Sequence, residues 1–490
     1  MPSLDFTRSS LSRLMDVGGS LSELATPALR LGVTGLARAG KTVFITALVR
    51  NLVREARLPF FSAAAEGRIQ RAYLEPQPDD EIPRFAYEDH LAALASDPPE
   101  WPESTRRISE LRVTVEYRSN HPIWRQLGPR RLHIDIVDYP GEWLIDLALL
   151  QQSFGEWSAA ALAAARMPGR TPAARELLSY VATLDPRAPR DEQKALEGAR
   201  IYTAYLHAER RSGAFEPTLG PGRFFLPGDL DGSPLLTFLP INPGEGKPPR
   251  GSLGELMESR YQSYVKKVVQ PFFRDHFARL DRQIVLVDAL SAIDRGGPAL
   301  SDLETTLATV LSCFRIGSHG LLSAVLPRRI DRILLAATKA DHVPAGSHDR
   351  LEAILTGLTA RAADRAHLRG AETRALALAS LRSTREAEIK RGPPRPVIVG
   401  VPLPGARIGG ETFDGRREVA IFPGDLPASL EAALALPGPS TGLTAREKKV
   451  ALVGFRPQRV PPDSGIGAAA PWPHIRLDRA LEFLLGDRLA

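Results

Sequence analysis

One stretch constrains this chain more than any other: Gly35-Leu-Ala-Arg38-Ala39-Gly40-Lys41-Thr42, a glycine, four residues, then Gly-Lys-Thr. A phosphate chain is best held by backbone N–H groups curling into an anion nest at a helix N-terminus. Gly35 and Gly40 let the backbone turn and approach closely, and Ala39 lies in the loop that supplies these donors. Lys41 is placed to reach the β- and γ-phosphates, and the Thr42 hydroxyl to complete the shell of a Mg²⁺ bridging the same oxygens. The flanks agree. Leu31 to Thr34 is a short apolar run suited to a buried strand, and Thr42 to Arg54 reads as a helix with Phe44, Leu48 and Leu52 at i, i+4 and i+8. Strand, loop and helix therefore predict a nucleoside triphosphate cradle in an α/β protein with a mainly parallel sheet.

The 490 residues suffice for two to four domains, and 43% hydrophobic with 24% charged residues is an ordinary globular balance, so sizeable cores are expected. The single cysteine, Cys313, excludes an internal disulfide and reads as a buried structural thiol. The 63 basic residues against 57 acidic ones are spread along the chain, so the net charge of +6 selects neither nucleic acid nor an anionic membrane. No dense basic stripe with interleaved aromatics argues for nucleic acid. No apolar run reaches the length of about 18 that a membrane span needs, and Met-Pro-Ser-Leu-Asp-Phe lacks the flank of a signal peptide. A cytoplasmic protein is expected. Residues 6 to 29 form a weakly amphipathic lead-in with Leu11, Leu14, Met15 and Val17, interrupted at Gly18-Gly19, which suits either packing or peripheral contact with the inner membrane.

In chain order, Pro59 to Pro102 is rich in proline and acid and reads as a long irregular insertion. Ile108 to Tyr117 alternates as a half-buried strand. Leu132 to Asp138 is a further strand running into Asp138-Tyr-Pro-Gly141-Glu142. Asp138 there can hold the Mg²⁺ shell, with Asp135 as a deeper alternative, and the Gly141 N–H can sense the γ-phosphate. Residues 143 to 280 read as mostly helical, in particular Ser158 to Arg166 and Leu253 to Leu280, with a Gly/Pro-dense loop from Pro217 to Gly251. The sheet resumes at Gln283 to Asp288 and at Arg332 to Ala337, the latter ending in Thr338-Lys339-Ala340-Asp341. A carboxylate at Asp341 can accept from guanine N1–H and N2–H₂, a donor pair adenine lacks, while the Lys339 stem lies along the ring. An ordinary polar strand exit is the alternative. Arg374 to Ala379 leads to Ser380, a candidate donor region for guanine O6. Residues 397 to 425 suggest a small β-rich appendage, Pro461 to Pro473 a linker, and His474 to Leu485 a docked helix. The expected division is a lead-in at 1–29, a core in two parts at 30–150 and 281–396, a helical insertion at 151–280, and a C-terminal appendage with its closing helix at 397–490.

Together, Gly35 to Thr42, Trp101-Pro-Glu-Ser-Thr105, Asp138-Tyr-Pro-Gly-Glu-Trp143, Thr338 to Asp341 and the closing Pro473 to Gly486 resemble the YcjX-like family of bacterial P-loop NTPases. The resemblance covers nearly the whole chain and implies a Ras-like core that binds GTP and GDP, with extra domains and a link to bacterial stress responses, hence a stress-system protein partner. Lys41, Thr42, Asp138, Gly141 and Asp341 match motif by motif. Thr105, with Ser104 beside it, lies where a GTPase supplies a Mg²⁺-binding threonine. Glu142 stands where small GTPases often carry the glutamine that positions the attacking water; a carboxylate there can accept from water but repels a γ-phosphate. Thr338 departs from the commoner asparagine. The loop spelling around Arg38 also resembles that of guanylate-binding proteins, whose arginine acts in cis and is aligned by dimerisation. Arg38 would then fold over the phosphates in a homodimer, or else point to solvent or a carboxylate. A slow, regulated GTPase switch is the expected function, with a nucleotide-dependent scaffold of incidental turnover, or an ATPase, as alternatives.

Overall fold

The computed structural model describes residues 26–35, 39–54, 58–103, 107–126, 128–212, 220–242, 246–314, 330–365, 371–389, 395–408, 411–438, 452–459 and 472–490. Most of the lead-in (1–25), Arg38, Ser104, Thr105, most of the Pro461–Pro473 linker and the Cys313 side chain lie outside these residues.

A seven-stranded sheet organises the molecule, built from β1 (Ala28–Gly35), β2 (Ile69–Glu75), β3 (Ser109–Tyr117), β4 (Arg130–Asp138), β5 (Arg282–Val287), β6 (Arg332–Ala337) and β7 (Glu372–Ala377). In space the strands run β2-β3-β4-β1-β5-β6-β7. The five from β4 to β7 are parallel neighbours, whereas β2 and β3 are antiparallel additions at one side. The parallel strands are the continuous apolar runs of the sequence, because helices cover both of their faces. On β5, Ile284 and Leu286 join one core and Val285 and Val287 the other, as the two-residue period requires.

The two faces recruit different parts of the chain. One packs the helix Lys41–Val53 together with the C-terminal helix Leu477–Leu485, whose Leu477, Leu481, Leu484 and Leu485 are buried in the same cluster as Leu31 and Val33. The closing helix is thus an integral layer of the core. The other face shares one continuous apolar cluster with the helical insertion, where Phe154–Arg166, Pro172–Ala182, Glu192–Ser212 and Leu253–Tyr264 are the principal helices. Ser153 and Glu156 start the first of these with a reciprocal capping box. Of Tyr261, Tyr264, Val265, Val268 and Phe272, whose helical spacing suggests core, Val265 is partly buried against this cluster and the other four are buried in it.

Three sequence expectations are corrected. The stretch from Pro59 to Pro102 contains the edge strand β2 and the helix Tyr87–Ala95, so it is not irregular throughout. And β3 buries Glu110 and Thr114 as well as its apolar face, leaving Arg112 and Glu116 partly exposed, with its charges paired: Arg30 to Glu110 at 3.0 Å and Arg112 to Asp135 at 2.6 Å. The C-terminal β structure begins before residue 397: β8 (Arg385–Ile389), β9 (Arg395–Gly400) and β12 (Val419–Ile421) form an antiparallel sheet in the order β12-β9-β8, beside the small hairpin of β10 (Arg407–Ile408) and β11 (Glu411–Thr412). Its apolar cluster centres on Ile398, Phe413, Ile421, Val453 and Phe455.

Candidate nucleotide-binding site

Gly35 ends β1, Asp138 ends β4, Asp288 follows β5, Thr338 follows β6 and Ser380 lies beyond β7, so these residues emerge at the same edge of the sheet. Ligands of open α/β sheets bind at this carboxyl edge.

The phosphate end comes first. Gly40 adopts φ 81° and ψ 27° and caps the helix Lys41–Val53, a left-handed conformation that glycine takes without penalty. Gly35 is close-packed, since a Cβ would stand 3.1 Å from Leu286 Cβ and 3.2 Å from Ala39 Cβ. Lys41 Nζ lies 2.6 Å from Asp138 Oδ1, and Asp138 is wholly buried. Among the described residues, no donor other than Lys41 reaches either buried oxygen of Asp138. Directly across the β3–β4 pair from Asp138 sits Ser109, whose buried hydroxyl has no partner among the described residues.

Thr42 donates to the Glu103 carbonyl at 3.5 Å, which brings the segment leading to Thr105 onto the first turn of the phosphate helix. Trp101 fixes that segment by donating its indole N–H to the Phe455 carbonyl at 2.6 Å. Thr105 itself, like Arg38, lies outside the described residues.

Gly141 seats the second motif on the first. A Cβ there would stand 2.4 Å from the Gly35 carbonyl oxygen, so only glycine permits this approach. Thr34 Oγ1 donates to the Tyr139 carbonyl at 3.4 Å, and the Tyr139 hydroxyl donates to Gln283 Oε1 at 2.6 Å, tying β1, the turn and β5 together. Glu142 is buried and paired: Arg210, from the last turn of the insertion helix Glu192–Ser212, puts Nη2 2.5 Å from its Oε1. Four residues on, Asp146 accepts from Gly222 N and from the Tyr264 hydroxyl, each at 2.6 Å. Burial pushes its carboxyl up to about 7 against the pull of these two donors. Asp135, the alternative metal residue, is spent on Arg112.

A Mg²⁺ ion fits the phosphate end. Magnesium on a nucleotide uses one or two protein oxygens beside phosphate and water, and Asp138 offers a buried carboxylate in contact with Lys41, the residue before Thr42. No group of three or more His, Cys, Asp or Glu with metal-holding geometry occurs among the described residues, so an all-protein metal cage is not what they form.

The base end is built differently. Thr338 is buried and donates its N–H to the Val287 carbonyl at 2.9 Å. Lys339 takes φ 60°, an uncommon conformation for a side-chain-bearing residue, and sets Nζ 2.5 Å from Asp288 Oδ2. Burial works to raise the Asp288 carboxyl, yet the Lys339 ammonium and the Ser291 N–H outweigh it and hold it below the ordinary value. Asp341 Oδ2 accepts from Ser383 N at 2.7 Å, Ser383 Oγ at 2.7 Å and Thr384 N at 3.2 Å. Ser380 is buried, but Ser383 is the serine of this stretch that reaches Asp341.

Sequence reasoning missed Ser383, Thr384, Ser109 and Arg210. A Ser-Thr pair shortly after a strand that follows Thr-Lys-x-Asp could have flagged the first two. Ser109 could have been found from its place opposite Asp138 in an antiparallel pair. Nothing local marks Arg210, whose position in a basic last helical turn has an ordinary electrostatic reason.

A sequence profile of the YcjX-like family matches residues 29–489. A protein of Escherichia coli (strain K12) named Ras-like GTPase YcjX is 38% identical over 473 residues, covering 94% of this chain and 96% of that one. A protein of the same name from Shewanella oneidensis is 34% identical over 484 residues, covering 94% of each. No described helix is long and apolar enough to cross a membrane. On the extent of these matches, and with its phosphate loop, Asp-x-x-Gly turn and Thr-Lys-x-Asp exit all at one sheet edge, this chain belongs to the YcjX-like family.

Proposed function

We propose that the chain is a Mg²⁺-dependent, guanine-nucleotide-binding P-loop GTPase that turns over slowly and acts as a switch in a bacterial stress response. The observation that carries this reading is the joining of Lys41, Thr42, Asp138 and Gly141 at the Gly35–Gly40 loop, with Asp341 on the same strand edge. The naming of both relatives as Ras-like GTPases supports guanine over adenine.

In this reading Lys41 exchanges its contact with Asp138 for the β- and γ-phosphate oxygens. Asp138, so released, and Thr42 would hold a Mg²⁺, which would supply positive charge at the phosphate end. Gly141 offers its N–H to the γ-phosphate, and the turn it opens reports whether that phosphate is present. Glu142 accepts from the attacking water, while Asp341 and the Lys339 stem select and cover the base. Ser380 and the neighbouring backbone serve the base O6. Arg38 and Thr105 keep the roles that the resemblance implies, as phosphate cation and Mg²⁺ ligand, with Arg38 aligned in a homodimer.

The test is equilibrium binding of GTP, GDP and ATP to the full chain, with turnover measured alongside. Guanine nucleotides should bind well ahead of ATP, and Lys41→Ala should abolish turnover. Equal affinity for GTP and ATP would overturn the guanine assignment. Guanine binding with turnover unaffected by Lys41→Ala would leave a scaffold whose hydrolysis is incidental.

A further inference from the structure

Glu142 poses a problem that the rest of the site does not. It follows Gly141, whose backbone touches the Gly35 carbonyl, so its carboxylate is carried on the turn that approaches the terminal phosphate. A buried carboxylate beside a multiply charged anion is repelled, and the repulsion grows as water is excluded. The site must neutralise it or lose preference for the triphosphate.

We propose that Arg210, delivered by the helical insertion, is the counter-ion that lets Glu142 stand beside the terminal phosphate, and that it thereby sets the preference for triphosphate over diphosphate. This rests on the nucleotide-site reading above and adds a specificity-determining residue to it. Three observations place Arg210 in that role. Its Nη2 is 2.5 Å from Glu142 Oε1, with the Glu142 side chain 7% exposed, so the charge is met at contact distance out of water. Its guanidinium is backed by the Phe225 ring, 5.4 Å from the centroid. And the turn and the insertion are locked by backbone: a Cβ on Gly222 would stand 2.0 Å from the Glu142 carbonyl oxygen, and Gly222 N donates to Asp146 at 2.6 Å. The cation therefore arrives with a fixed partner surface rather than on a loose side chain.

A pair that only braces the fold would, when broken, weaken both nucleotides alike; a counter-ion to Glu142 acts on the triphosphate alone. The experiment measures affinities for a non-hydrolysable GTP analogue and for GDP, in Mg²⁺, on the full chain and on Arg210→Ala, Glu142→Gln and the double variant. Arg210→Ala should weaken the analogue by about tenfold or more while GDP changes less than about threefold, as an uncompensated like charge requires. In the Glu142→Gln background the same arginine substitution should leave the ratio unchanged. That comparison carries the test should Arg210→Ala alone fail to fold. Equal weakening of both nucleotides by Arg210→Ala, or an undiminished arginine effect once residue 142 is glutamine, overturns the proposal and leaves the nucleotide reading standing. A parent chain that binds neither guanine nucleotide sinks that reading, and this inference with it.

Discussion

Asp138 and Asp341 stand at the same edge of one sheet, both buried, and they are satisfied in opposite ways. Among the described residues, no donor other than the Lys41 ammonium, 2.6 Å away, reaches an Asp138 oxygen. Asp341 has three donors on Oδ2 alone, from Ser383 and Thr384. At Asp138 a buried carboxylate gains from any further cation or donor brought to it. The base end is pre-organised, with one carboxylate oxygen saturated by the protein, so that the orientation of the other is set in advance.

The largest effect expected from this contrast is at Lys41. Removing it leaves Asp138 as an uncompensated buried charge, and breaking such a pair from one side costs about 3–5 kcal/mol. Lys41→Ala should therefore lower the denaturant midpoint of the ligand-free protein, and adding Asp138→Asn should recover most of the loss. If Lys41→Ala melts with the parent chain, Asp138 is satisfied by other means and the contrast between the two ends fails.

Asp341→Asn should have a smaller effect and a different character. The amide keeps one oxygen to accept from Ser383 N but loses the charge and the second acceptor, so GTP affinity should fall by about 1.5–3 kcal/mol, the range for a charged hydrogen bond. Because Ser383 and Thr384 remain to hold the loop, stability should change less than it does for Lys41→Ala. Unchanged affinity for GTP relative to ATP in this variant would remove Asp341 from base recognition.

The same contrast explains what could be read from the sequence. The phosphate loop, Asp138 to Gly141 and Thr338 to Asp341 are contiguous because each is one strand exit, where a few consecutive backbone positions do the work. The closing helix was legible from Leu477, Leu481, Leu484 and Leu485, a spacing with one explanation. What stayed hidden depends on partners distant in sequence. β2 lies between proline-rich and acidic flanks and pairs only with β3, so Ile-Gln-Arg-Ala-Tyr-Leu-Glu carried no signal of its own. The charged face of β3 looked solvent-facing because Arg30 and Asp135, which pair with its charges, are supplied by other strands. Arg210 and Ser383 are ordinary residues until the fold places them against Glu142 and Asp341.

The finest test of the phosphate end concerns Asp146, which joins the turn after Gly141 to the insertion. Its carboxyl is pushed up to about 7 by burial, whereas in the unfolded chain it titrates near 3.9. Between those two values the native state holds a proton that the unfolded state has released, so stability falls as pH rises across that window. The contribution is fully present below about pH 4, is lost as pH rises through about 7, and changes no further above that. One such group imposes a slope of at most about 1.4 kcal/mol per pH unit. Asp146→Asn keeps an acceptor for Gly222 N and a polar partner for the Tyr264 hydroxyl while removing the proton, so the difference in stability between variant and parent should change by that slope and flatten above about pH 7. Denaturant melts of both proteins across the window check this. A parallel pair of stability curves would mean that Asp146 is ionised throughout, compensated by donors stronger than Gly222 and Tyr264, and the turn would then be braced by charge on both of its carboxylates rather than on Glu142 alone.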